Sequence, residues 1–135
     1  MRTLLLAPAL AAAVLVLTGC TIVEQFLPSQ TESRFQDFTA FQGSAGQDFT
    51  SLAWVPSDSI LLATKDSDHD QDQGRMLKFE SETGVTAEGC VPGLLDGEAP
   101  FETVWWPSGE ALTGVICDGT WRVFAVADTW YAWTQ

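Results

Sequence analysis

Val115-Ile116-Cys117-Asp118-Gly119-Thr120-Trp121-Arg122-Val123-Phe124 is the stretch whose pairing settles the fold class. Asp-Gly between two β-prone runs is a strong hairpin signal. A two-residue loop needs positive φ at both central positions, and these residues tolerate it best. Such a loop pairs Cys117 with Thr120, Ile116 with Trp121, Gly114 with Val123 and Leu112 with Ala125. The last three pairs share one face and are all apolar or glycine, while the other face carries Val115 with Arg122 and Thr113 with Phe124. This register sorts one side of the hairpin toward a core. Asp128-Thr129 offers a second turn, which brings Trp133 opposite Phe124 and Tyr131 opposite Val126. The end of the chain therefore reads as a three-stranded antiparallel meander rich in aromatic pairs.

Upstream, Ile60 to Thr64 is a short apolar run bounded by turn formers, and Arg75 to Ser81 alternates with Leu77 and Phe79 on one side. Alternation of period two marks a half-buried strand, so these runs form a hairpin around the polar stretch Asp66 to Gly74. Trp54-Val55-Pro56-Ser57-Asp58 ends the preceding segment in a turn. Phe101 to Trp106 reads as a further strand, stopped by Pro107-Ser108-Gly109, whereas Gly89 to Gly97 reads as irregular. Phe35, Phe38 and Phe41 recur every third residue, as on one face of a short helix docking on the domain. The expected class is mainly β, with α+β left open: one antiparallel sheet of about five or six short strands and one disulfide.

The other end of the chain speaks of address. Arg2 supplies a positive charge, and Leu4 to Leu17 is an apolar run broken only by Pro8. About 20 apolar residues are needed to span a bilayer, so this run suits the core of a signal peptide better than an anchor. It ends in Leu17-Thr18-Gly19-Cys20, which resembles the lipobox of bacterial lipoproteins. The resemblance implies cleavage before Cys20 and a diacylglycerol on its thiol. The expected layout is a lipoprotein signal peptide over 1–19, an acylated cysteine and flexible tether over 20–48, and a small β-rich extracytoplasmic domain over 49–135. The protein would then sit at the cell membrane, lipid-anchored and facing outside the cytoplasm.

Composition narrows the partners. A formal charge of -12 argues against nucleic acid and against attraction to anionic lipid. With Cys20 given to lipid, Cys90 and Cys117 remain, 27 residues apart, an even pair in an oxidising compartment. They are not spaced as a Cys-x-x-Cys motif, and with no second His or Cys nearby they make a poor zinc site, so they are assigned to a structural disulfide. Taken together, Trp54-Val55-Pro56-Ser57-Asp58, Gly89-Cys90-Val91-Pro92-Gly93, the Cys117 hairpin and Trp130-Tyr131-Ala132-Trp133 resemble the small domain of uncharacterised actinobacterial lipoproteins. That resemblance implies an exported domain with one disulfide and brings no catalytic or ligand residues with it.

Two groups of residues carry candidate chemistry. Asp66, Asp68, Asp70 and Asp72 place a carboxylate at every second position, as calcium loops do, with Glu80 and Glu82 as distal ligands. Neither possible EF-hand register supplies the required Gly and Glu, and a solvated hairpin tip explains the same residues. Among the six tryptophans, Trp105, Trp106, Trp130 and Trp133 are candidates for a ligand or partner surface, set against a simple core role. Enzyme chemistry has little footing. His69 is the single histidine, no nucleophile or phosphate-loop motif occurs, and a carboxylate pair of a glycan-acting hydrolase cannot be picked from sequence among 18 acidic residues. The expected function is a non-enzymatic interaction module contacting an envelope protein. The alternative is a small-ligand binder, with calcium on the Asp loop or glycan on exposed tryptophan. The anchor has a direct check: Cys20→Ala should release the protein from membranes or leave an uncleaved precursor. Mass spectrometry of the native protein should show an acylated Cys20 as the first residue; a water-soluble mature form starting elsewhere would refute it.

Overall fold

The computed structural model describes residues 30–67, 74–109 and 113–135. Seven strands make one antiparallel sheet: β1 Gln30–Asp37, β2 Ile60–Ser67, β3 Arg75–Glu80, β4 Cys90–Leu94, β5 Thr113–Cys117, β6 Trp121–Val126 and β7 Thr129–Thr134. Two short helices, α1 Phe38–Ser44 and α2 Gln47–Thr50, follow β1. The order of strands across the sheet is β1-β2-β3-β7-β6-β5-β4. Two meanders thus meet at the β3–β7 seam, where Leu77 faces Ala132 and Phe79 faces Trp130. The mainly β class and the closing β5-β6-β7 meander are as the sequence reading has them.

Registers differ from that reading, with physical reasons. The Cys117 carbonyl accepts the Thr120 N–H at 3.2 Å, closing a tight turn with Asp118 and Gly119 at φ of 51° and 74°. The ladder, however, pairs Cys117 with Trp121, Ile116 with Arg122 and Val115 with Val123. Thr120 is an extra residue on the β6 side. A one-residue slip sends every side chain of one strand to the other face. Val115 and Cys117 therefore share a face with Trp121 and Val123, and Ile116 goes to the opposite face with Phe124. Contacts from outside the hairpin select this register. Cys90 lies directly across from Cys117 on β4. The Asp118 N–H donates to the Gly89 carbonyl at 2.8 Å, and its carboxylate accepts the Trp54 indole N–H at 3.0 Å. Between β6 and β7 the turn is Ala127-Asp128, so Phe124 faces Tyr131, and Trp133 faces Arg122. That slip is by two residues and leaves the faces unchanged.

Residues 30–48, read in sequence as tether, contribute β1, α1 and the start of α2. β1 is an edge strand paired along its length with β2. Asp37 ends it and caps α1, its carboxylate accepting the Ala40 N–H at 2.8 Å. Phe35 on the strand and Phe38 and Phe41 on the helix pack on the core, with the Phe35 and Phe41 rings edge to face at 5.6 Å. Gly89 to Gly97, expected to be irregular, contains β4 on the opposite edge, where Pro92 lacks the N–H that a further strand would need. Phe101 to Trp106, expected as a strand, is a loop closed by a turn from the Trp106 N–H to the Thr103 carbonyl at 3.3 Å.

One face of the sheet is sealed. The helices and the segment after them place Phe41, Phe49, Leu52, Trp54 and Val55 against Leu62, Leu77, Phe79, Trp121, Val123 and Ala132. Trp54 is fully buried and meets Trp121 edge to face at 5.7 Å. The connection from β3 to β4 crosses this same face, adding Val85 to the core. Asp58 holds it down: its carboxylate accepts the Ser81 hydroxyl at 2.7 Å, the Thr83 N–H at 3.0 Å and the Thr83 hydroxyl at 2.9 Å. The Ser81 bond first, then the Thr83 N–H, lower the Asp58 pKa against an opposing desolvation.

Cys90 and Cys117 are disulfide-bonded across adjacent strands, with Cα atoms 4.0 Å apart. A crosslink of this loop length restricts the unfolded chain by about 3–4 kcal/mol. Reduction should lower the melting temperature by roughly ten degrees or more. Cys90→Ala with Cys117→Ala should reproduce the shift in the absence of reductant, and equal melting of the oxidised and reduced protein would contradict it.

Candidate functional site

The second face of the sheet is built differently. Alternation along the strands places Met76, Ile116, Phe124, Tyr131 and Trp133 there. Among the described residues no helix covers them. Instead the segment 95–109, without regular secondary structure, runs over the face as a strap. Leu95 anchors one end in the core. Further along, Pro100 packs so tightly on Gly74 that a Cβ at that glycine would overlap its ring. Lys65 Nζ donates to the Glu102 carbonyl at 2.7 Å. The Thr103 hydroxyl donates to Glu32 Oε2 at 3.3 Å, and Arg34 holds the other oxygen of the same carboxylate at 3.1 Å. Burial is the largest single influence on Glu32 and raises its pKa, but the hydrogen bonds from Arg34 and Thr103 and the Arg34 charge together outweigh it and leave the pKa lowered.

Trp106 is the hub of the face. Its ring meets Tyr131 at 5.5 Å, Phe124 at 5.7 Å and Trp133 at 5.8 Å, each edge to face. Phe124 and Tyr131, cross-strand partners, stack at 5.3 Å. Between strap and sheet lies an open cleft of about 920 Å³, walled by Phe101, Trp106, Phe124 and Trp133. Glu98, Glu102 and the almost fully exposed Val104 stand on its strap side. Among the described residues, Glu98, Glu102 and Thr103 are the polar side chains of the lining apart from the indole N–H groups. A carboxylate and a threonine hydroxyl offer hydrogen bonding and charge. They do not make the paired nucleophile and base of acyl transfer. Two indole N–H groups, of Trp105 and Trp133, are buried without a hydrogen-bond partner among the described residues. That of Trp105 still acts on the Glu32 carboxylate, helping to lower its pKa, without reaching hydrogen-bond geometry.

Of the tryptophans singled out in sequence, the fold brings Trp105, Trp106 and Trp133 to this face. Trp130 goes elsewhere: it lies on the opposite face, stacked on Phe79 at 6.5 Å. The reason is parity, since Trp130 and Trp133 are three apart on β7 and so point to opposite sides. Trp105 turns partly away from the main cleft toward a smaller cavity of about 300 Å³, shared with Arg34, Leu61 and Lys78. Asp66 lies near the end of β2, across from Arg75. Asp68, Asp70, Asp72 and His69 lie outside the described residues, as does Cys20. Among the described residues no group of three or more His, Cys, Asp or Glu side chains is placed to hold a metal ion.

Phe101, Phe124, Glu98 and Glu102 line the cleft without being singled out by the sequence. A strand over 101–106 would spread its side chains over two faces, and that expectation hides the strap. Gly97, Pro100 and Pro107 bracket the segment, and two prolines so close are a poor fit to an inner strand. They are the signal in the sequence that points to a strap. Comparison with known protein families, curated proteins and solved structures finds no match to this chain.

The strap's tie to β1 is pH-sensitive. A carboxylate whose folded pKa is lowered stabilises the fold above its unfolded value, here 4.5, and loses that contribution as pH falls through the folded pKa. Tryptophan emission from Trp105 and Trp106 should therefore shift to the red as pH falls below 4.5. Glu32→Ala should show the shifted emission at neutral pH. A wild-type spectrum that stays constant to the acid unfolding transition would contradict this.

Proposed function

We propose that the chain is a lipid-anchored extracytoplasmic binding domain that works by non-covalent contact, with the aromatic cleft between strap and sheet as its working surface. The observation that carries this reading is the contrast between the two faces. The helical face is closed by large buried side chains, whereas the strap face leaves about 920 Å³ open beside Trp106 and Trp133. Ligand sites are typically concavities of roughly 300–1,000 Å³ with apolar walls and a few polar groups, which describes this cleft. Of the two partner types expected from sequence, the cleft favours a small ligand over a flat protein surface.

The protein-interaction reading keeps one specific support. Val91, Leu94 and Val104 are 62%, 78% and 93% exposed. Val104 stands at the cleft, whereas Val91 and Leu94 lie on the edge strand β4, and apolar side chains so exposed are suited to close on a partner. The anchor at Cys20 and the tether after it belong to the same proposal, since they would hold the domain at the membrane surface.

Indole resonances of the full-length protein in neutral polyether micelles test the cleft. A panel of small aromatic compounds should perturb the Trp106 and Trp133 signals and leave Trp54, buried on the other face, unmoved. Trp106→Ala should weaken binding by about tenfold or more, the scale of losing one aromatic contact with its burial. If no compound moves Trp106 or Trp133, or if all tryptophans move alike, the cleft is not the site.

A further inference from the structure

We propose that the cleft selects an organic cation: an ammonium or guanidinium group carried on an apolar body. The inference rests on the cleft reading above and adds the ligand's charge. Three observations combine. First, the charged side chains of the lining are Glu98 and Glu102, and no basic side chain lines it among the described residues. Second, the basic groups nearby are engaged. Arg122, on the same face as Phe124, pairs with Asp96 at 3.1 Å, and Lys65 Nζ, turned to the Glu102 carbonyl, keeps its charge outside the lining. Third, the walls are aromatic rings set edge to face around Trp106. Ring faces carry negative potential, and a cation over an indole is attracted the more strongly the less water separates them.

Each ligand class meets this lining differently. An anion meets two carboxylates and aromatic faces, all unfavourable to it. A neutral apolar compound fills the walls and leaves the carboxylates unused. A cation on an apolar body uses both, its carbon frame against Phe101, Val104 and Phe124, and its charge between Trp106 and the two glutamates. The formal charge of -12 acts in the same sense at longer range, raising the local concentration of cations and steering their approach.

Four probes settle the charge: benzyltrimethylammonium, benzyl alcohol, phenylacetate and maltose, each titrated against the Trp106 and Trp133 indole signals of the full-length protein in neutral polyether micelles. The cation should bind at least about tenfold more tightly than the neutral alcohol, with phenylacetate weakest, and its affinity should fall as salt rises. Glu98→Gln with Glu102→Gln, both exposed positions, should remove the cation's advantage and leave the affinity for benzyl alcohol unchanged. Equal binding of cation and alcohol, preference for maltose, or an unchanged cation affinity in the double variant would each overturn the proposal. In any of those cases, binding of the alcohol or maltose at Trp106 would still uphold the cleft as a ligand site. Absence of all binding there would remove both.

Discussion

Asp118 is the residue on which the two halves of the molecule depend. It occupies a left-handed turn position, φ 51°, next to a fully buried disulfide cysteine. Its N–H reaches back to Gly89, and its carboxylate takes the N–H of Trp54 from the far side of the chain. A buried indole N–H without a partner costs about 1–3 kcal/mol, so this acceptor favours the burial of Trp54 by an amount of that order. Burying Trp54 in turn fills the centre of the sealed face, where truncating a side chain of that size costs about 3–5 kcal/mol. One residue therefore couples the hairpin turn to the start of the edge strand β4 through its N–H, and to the packing of the segment after α2 through its carboxylate.

The same arrangement explains why the two faces differ. The chain supplies two helices, a turn segment and the β3–β4 crossing to one side of the sheet. Among the described residues, the strap is what remains for the other. The strap is held by side-chain bonds at Glu32 and Lys65 and by aromatic contacts around Trp106, rather than by backbone pairing with the sheet. A single strap without regular secondary structure covers less of the sheet than the two helices, the turn segment and the β3–β4 crossing cover on the other side. A cleft beside the strap follows from what is available to cover the face.

In the proposed reading that face serves recognition. Among the described residues its polar groups are two carboxylates, a threonine hydroxyl and indole N–H groups, and its walls are rings. Contact of this kind uses shape, burial and charge.

Local signals in the sequence determine local things: Asp118-Gly119 as a tight turn, the alternation that buries Leu77 and Phe79, the pairing of Cys90 with Cys117, and the mainly β class. These depend on backbone preference, period-two patterning and counting, which neighbours in sequence settle among themselves. The tertiary structure decides every choice between near-equal local options. Thr120 could sit in the ladder or outside it, and only Cys90, Gly89 and Trp54, distant in sequence, choose. Residues 30–48 are polar enough to be a tether, and they become an edge strand and its helices because β2 offers unpaired backbone groups. Trp130 and Trp133 look alike in sequence, yet parity on β7 buries one against Phe79 and gives the other to the cleft. The strap looks like a strand because its residues favour strands, but it forms no ladder with either edge strand, β1 or β4. The face left bare by the helices is the surface remaining to receive its aromatic side chains.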